Sequence, residues 1–499
     1  MEILSSRTFF AHFVLAPTLA FLLAASSVFG APADYFGIHV IDEATGRGVP
    51  LVELRTVNDI ALWTDSAGWV AFQEPGLMDC EVFFAIESPG YERAKDGFGN
   101  RGVRLQTKPG TTAEVKIKRT IVGERLYRQT GQGIYRDSAL LGKTVPTRAP
   151  NLNANVVGQD SVQAVPYGGR LFWLWGDTSV PNYPLGNYRT TSATSALGVK
   201  PDLGIDFYYF TEPEHPDRVC GMVRETESGP VWLFGLLTVA DETGKEALLS
   251  HFTRHKNLAE VVEQGIVRFD DASGVFEKIA KLDLGDKWRF PQGNAMRVHE
   301  PDGDYWYFAA PLCHTRVRAT WKDVIDPARY EALVWDGTKY SWTHDAAPTT
   351  QRAETELIRA GKLPADAARY RFVDASTGEP ISIHASSIAW NEYRKKWVLI
   401  GSQEGGKGAP SYLGEVCYAE ADSVTGPWGK AVKIASHPHY SFYNPRHHVF
   451  FDEDGGRRIY FEGTYTRTFS NNPVATPRYE YNQLMYRLDL ADPRLDAAR

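Results

Sequence analysis

The sequence predicts an all-β protein, a small β-sandwich followed by a five-bladed β-propeller. Three observations lead there. A strand-turn-strand pattern recurs five times after residue 150, helical signals are sparse, and aromatic residues make up 12% of the 499-residue chain. Sheets favour aromatic and β-branched side chains, so composition and pattern agree.

Taken from the start, residues 1–30 read as a signal peptide. Arg7 gives a weakly positive beginning, and Val14 to Ala25 is apolar apart from Pro17 and Thr18. Val28-Phe29-Gly30 offers a cleavage site before Ala31, and Ala31-Pro32-Ala33 offers a second. An uncleaved anchor is the competing reading. No later segment is apolar for long enough to span a bilayer. The expectation is a periplasmic or extracellular protein with no membrane attachment after cleavage. The net charge of -7, with no long basic run, argues against nucleic acid as a partner. Cys80, Cys220, Cys313 and Cys417 are far apart, without zinc spacing. Export permits disulfides, but a core this large does not need them, and buried free thiols are at least as well favoured. No cofactor and no catalytic metal are expected.

Residues 31–119 read as the sandwich. Strands are expected at Phe36 to Ile41, Pro50 to Leu54, Trp69 to Phe72, Cys80 to Ile86 and Ala113 to Lys118, with tight turns at residues 45–48 and 64–68. Val40 to Pro50 and Thr64 to Gly68 resemble the V-x-D-x-x-T-G-x-x-V-P and T-D-x-x-G pattern of transthyretin-like, carboxypeptidase-regulatory domains. That resemblance implies a fold and an accessory role. Asp42 and Asp65 could hold a structural calcium ion, or could serve as turn carboxylates that accept nearby backbone amides; the turn reading is the stronger.

Residues 120–499 read as the propeller. Its second strands are Trp173 to Asp177, Trp232 to Leu236, Trp306 to Ala310, Val398 to Ser402 and Ile459 to Gly463, each following a polar turn. Five irregular repeats of four-strand length indicate blades. The alternative is a pair of sandwiches. Residues 350–360 and 364–368 are expected to be helical insertions. The strands near Gln483 to Leu490 are expected to meet residues 120–135 and close the ring.

The first hairpin carries the chemistry. Gly168-Gly169 is a two-residue turn, so Tyr167 faces Arg170, Ala164 faces Trp173 and Val162 faces Trp175. Asp160 then faces Asp177 at a Cα separation of roughly 4.5–5.5 Å. Two carboxylates so close raise one another's pKa unless a cation relieves them. Their expected roles are base or stabiliser for Asp160 and partner for Asp177. A proton donor must come from across the channel: Glu415 leads, with Glu404 and Glu462 in reserve. Each also has a plain reading as a strand-end or loop charge. Polar groups near the starts of innermost strands, Gln292, Asn294, His384, Asn444, Arg446 and His447, together with Gln159, are expected to bind substrate hydroxyls.

Gly158-Gln159-Asp160 with Trp175-Gly176-Asp177-Thr178 resembles the G-Q-D and F-G-D-T signature of a propeller family that includes endo-acting D-arabinan hydrolases. Ala419 to Trp428 resembles the A-x-S/A-x-x-x-x-G-P-W strand-turn of family 43 glycoside hydrolases. Those enzymes invert at furanosides or xylosides with an Asp base, an Asp modulator and a Glu acid. The resemblance spans roughly residues 150 to 490 and implies a glycoside hydrolase with a carbohydrate substrate. The alternative is a non-catalytic glycan-binding propeller.

Overall fold

The computed structural model describes residues 32–182, 189–202, 204–224, 229–257, 259–285, 287–406, 409 and 411–499. The expected signal peptide lies outside them. Two four-stranded sheets come first. One runs Trp69–Phe72, Phe36–Asp42, Thr112–Arg119, Tyr91–Glu92; the other runs Ala61–Trp63, Glu53–Thr56, Glu81–Glu87, Gly102–Gln106. Strand alternation explains their packing: Val82, Phe84 and Ile86 turn inward from Glu81–Glu87 while its ends stay exposed. They join Ile38, Val40, Leu54, Val70 and Ile117 in one core.

The strand expected at Pro50 to Leu54 instead covers Glu53–Thr56. Leu51 adopts a left-handed φ of 56° and gives its N–H to the Tyr479 hydroxyl at 3.0 Å, so this stretch serves a contact rather than a ladder. Asp42 and Asp65 behave as turn carboxylates. Asp42 accepts from the Ala44 N–H at 2.9 Å, and Asp65 from those of Ala67, Trp69 and Ser138 at 3.0, 3.1 and 2.6 Å. All four cysteines are free thiols.

Five further sheets of four or five strands follow among the described residues. The first contains Gln163–Tyr167, Arg170–Trp175, Thr191–Ala196 and Tyr208–Tyr209, and the second Val231–Ala240, Glu246–His255, Val261–Asp270 and Val275–Lys281. Asn294–Glu300, Gly303–Ala309, Cys313–Arg318, Glu331–Trp335 and Tyr340–Thr343 form the third. The fourth runs Ile383–Asn391, Lys396–Gln403, Glu415–Ala421, Trp428–Ser436, with Tyr370–Asp374 added parallel at its edge. In the fifth, Ser441–His447, Arg458–Thr466 and Asn482–Asp489 are joined by Glu124–Arg128, the first strand after the sandwich. The expected pairing of chain end with residues 120–135 is therefore present. First strands of successive sheets touch one another. Arg446 Nη2 donating to the Ala164 carbonyl at 3.4 Å brings the fifth sheet back to the first.

Two expectations need correction. Trp232 to Leu236 lies in the first strand of its sheet, not the second. The preceding Thr211 to Val219 stretch is too polar for an inner position, and it forms a separate two-stranded hairpin. The turn expected at Glu225 to Gly229 falls almost entirely outside the described residues. Residues 364–368 make a turn rather than a helix, since so short a segment cannot repay helix nucleation. The other insertion is the helix Gln351–Arg359, capped by the Thr350 hydroxyl accepting from the Ala353 N–H at 3.2 Å.

Arg125 ties the segments beside the two N-terminal sheets to the fifth sheet. It is 1% exposed and donates to the Pro50 and Pro89 carbonyls at 3.0 and 2.8 Å and to the Ser88 hydroxyl at 2.5 Å. Arg125→Met leaves those acceptors buried without donors, at about 1–3 kcal/mol each where water cannot enter. Scanning calorimetry should show a lower melting temperature, with sandwich unfolding separating as its own transition. A single transition at the wild-type temperature counts against this role.

Candidate functional site

The first hairpin has the expected register, from Tyr167 opposite Arg170 to Gln163 opposite Leu174. Two glycines at φ 56° and 75° make its turn. The ladder then breaks and resumes with Gln159 opposite Thr178 and Gly158 opposite Ser179. The expected Val162–Trp175 pair falls in that break. Ser161, at φ 54°, bends the strand there. Asp160 and Asp177 are held together across the break: the Asp160 N–H donates to the Asp177 carbonyl at 3.2 Å, and the Gly176 N–H to the Asp160 carbonyl at 2.8 Å. The signature glycines have steric reasons. A Cβ at Gly176 would lie 2.3 Å from Asp160 Oδ1, and one at Gly158 would lie 2.5 Å from the Tyr481 carbonyl oxygen.

Other sheets complete the site. The Tyr443 hydroxyl donates to Asp160 Oδ2 at 2.7 Å, and Tyr481 lies close enough to affect the same carboxylate. Asp160 Oδ1 is buried without a hydrogen-bond partner. Trp232 Nε1 donates to Asp177 Oδ1 at 2.6 Å. Every hydrogen-bonding side chain named here is neutral. Burial pushes Asp160 up, opposed by the Tyr443 hydroxyl. Burial, then the neighbouring Asp160 charge, push Asp177 up to about 7 against the Trp232 bond. Asp177 thus holds a proton up to near neutral pH.

The structure separates the three glutamates. Glu415, the leading acid candidate, is 1% exposed and held by Lys433 at 2.9 Å and the Ser436 hydroxyl at 2.8 Å within its own sheet. Glu462 is fully buried, accepting from Gln129 Nε2 at 2.8 Å and contacting His448 Nε2 at 2.6 Å. Burial raises it to about 8. Glu404 is exposed at the end of Lys396–Gln403 and accepts from the Tyr412 and Ser382 hydroxyls at 2.6 and 3.3 Å. Of the three, Glu404 alone is exposed.

The expected binding residues divide as well. Gln292 and His384 are exposed and line a cleft of about 720 Å³, and His384 lies close enough to feel the Glu404 charge. Asn294 joins the third sheet to the fourth through the Ser386 carbonyl at 2.9 Å. Asn444 holds the Ser161 hydroxyl at 2.8 Å, beside the pair. Half-buried Arg446 serves the contact between sheets five and one. Two expectations fail on burial. Gln159 is fully enclosed, donating to the Thr191 hydroxyl at 2.7 Å and accepting from that of Tyr209 at 2.8 Å. His447 is 2% exposed and turned to Asp452 at 2.8 Å. Among the described residues, no three His, Cys, Asp or Glu side chains gather as a metal site.

Tyr443, Tyr481, Trp232 and Tyr412 were not singled out from the sequence. Tyr443 directly precedes Asn444, and that adjacency was the one available signal. Trp232 comes from the second sheet, and Tyr481 and Tyr412 from segments just before the strands Asn482–Asp489 and Glu415–Ala421.

No family model matches the chain, and no curated protein does. Among solved structures, the chain is similar to a suggested hydrolase of Bacteroides ovatus ATCC 8483, with 14% identity, 67% of this chain and 86% of that one covered, and a TM-score of 0.42. A GH43 β-1,3-galactosidase shows 10% identity, coverage of 69% and 93%, and a TM-score of 0.33. An exo-1,5-α-L-arabinanase from a bovine ruminal metagenomic library shows 11% identity, coverage of 68% and 95%, and a TM-score of 0.35.

Proposed function

We propose that the chain is a secreted glycoside hydrolase, its five later sheets the blades of a β-propeller and its first domain a transthyretin-like accessory. The observation that carries the reading is the Asp160–Asp177 pair. Two adjacent carboxylates held by neutral donors, with Asp177 at about 7, are costly for folding alone. Such a pair can take a proton from water while its second member tunes the first. Glu404 supplies the proton to the departing sugar oxygen, and an inverting mechanism requires its carboxyl to lie roughly 6.5–9.5 Å from the base. The resemblance of the Gly158 to Asp160 and Trp175 to Thr178 motifs to D-arabinan hydrolases supports the same reading. Export rests on the apolar stretch from Val14 to Ala25.

The test is a polysaccharide panel including arabinan and β-1,3-galactan, the polymers suggested by the names of the similar structures, with product anomers followed by NMR. Glu404→Gln is expected to lower kcat about 10²–10⁴-fold on the polymer that is cleaved. It should lower it far less on an aryl glycoside whose leaving group needs no proton. Unchanged kcat in Glu404→Gln with loss in Glu415→Gln returns the acid role to Glu415. Binding without hydrolysis by the wild type supports the glycan-binding alternative.

A further inference from the structure

A continuous line of contacts leads away from the carboxylate pair. Trp232, which donates to Asp177, lies 4.2 Å, ring to ring, from His255. His255 is cross-strand from Val261, and Val261 forms part of the wall of the 720 Å³ cleft. The same cleft is lined by Trp288, Gln292, Pro311, His314 and His384, from the third and fourth sheets and the segment leading into them. His314 is the informative member. Its imidazole is 7% exposed, and Nδ1 is sealed from solvent without a hydrogen-bond partner. Burial also pushes it down to about 4, so the ring is neutral at physiological pH, with one donor and one acceptor nitrogen. A buried polar atom without a partner is uncommon in native structures and calls for an explanation. Trp288 offers an aromatic surface, and Arg289 covers it from one side at 4.7 Å. Lys287 is the one Lys, Arg, Asp or Glu in the lining among the described residues.

We propose that this cleft binds uncharged sugar units of a glycan chain remote from the bond at the Asp160–Asp177 pair. Trp288 is the stacking platform, and Gln292 and His314 are the hydroxyl partners. The proposal rests on the glycan reading above but not on catalysis. An aromatic face with amide and imidazole groups suits sugar rings, whose axial C–H groups are apolar and whose rims are polar. A cleft so placed makes recognition depend on chain length.

The test measures binding in an Asp160→Asn background, so that polymer survives, by affinity electrophoresis and calorimetry. The probes are arabinan, β-1,3-galactan and polygalacturonate, each as polymer and as size-fractionated oligomers. Trp288→Ala and, separately, exposed Gln292→Ala are expected to weaken binding of a neutral polymer, the former about tenfold (about 1.4 kcal/mol). Phe98→Ala, at an exposed loop tip of the sandwich, should leave affinity unchanged. Melting temperatures establish that each variant is folded. Unchanged affinity in both cleft variants overturns the proposal even if the wild type hydrolyses glycan, as does preference for polygalacturonate or failure of every probe to bind. Weakened binding together with an inactive wild type upholds the cleft and removes the hydrolase reading.

Discussion

Asp160→Asn is expected to reduce kcat on the cleaved polysaccharide by about 10²–10⁴-fold while leaving the fold intact. The fold survives because asparagine preserves the shape: its amide oxygen can still accept from Tyr443, and the clearance at Gly176 is unchanged. What is lost is the charge that accepts a proton and raises Asp177. The pH profile carries a second signature. Without the Asp160 charge, the carboxyl of Asp177 moves down, and any residual activity limited by it shifts toward lower pH. Circular dichroism and the melting temperature report the fold, and steady-state kinetics report the chemistry. Retention of more than about a tenth of the wild-type rate, well short of a general-base loss, removes Asp160 from the base role.

The second large effect is on stability. Asp177 titrates at about 7 in the folded protein against an ordinary 3.8, so between those values the native chain holds a proton that the unfolded chain has released. Unfolding then sheds protons, and stability falls as pH rises from about 4 to about 7, levelling off above. Asp177→Asn abolishes that contribution. The variant should therefore be more stable than the wild type at pH 8, with ~4 kcal/mol as the ceiling at 1.36 kcal/mol per pKa unit. Partial solvation of the carboxylate reduces the gain below that ceiling. At pH 4 and below the two proteins should converge. Urea unfolding at both pH values measures this directly, and a wild type more stable than Asp177→Asn at pH 8 contradicts it. Wild-type Glu462, raised to about 8 by burial, slopes the same way. The difference between variant and wild type isolates Asp177 because Glu462 is common to both.

Local sequence carried much of this architecture. The Gly168-Gly169 turn sets the pairing of the first hairpin, because a side-chain period of two leaves no tolerance for a slip once one face is buried. Trp173 and Trp175 are fully buried and pack 6.1 Å apart, and this packing supports the same register. Asp160 and Asp177 could be placed together for that reason alone, although the break at Ser161 could not be anticipated. Trp232 to Leu236 has the apolar pattern of a second strand, and only the strand order of its sheet reveals it as the first.

The sequence by itself determined the strands around Phe36 and Trp69, four of the five later hairpins and the paired carboxylates, all of which depend on turns and alternation within a few residues. Tertiary structure decided the rest. Glu404, Glu415 and Glu462 look alike in sequence, yet one is exposed, one is clasped by Lys433 and one is enclosed with His448 and Gln129. Gln159 belongs to a signature motif but faces inward, while Tyr443 and Trp232 reach the pair from other sheets. Burial and pKa are set by atoms brought together from hundreds of residues apart, and no short-range pattern encodes that environment.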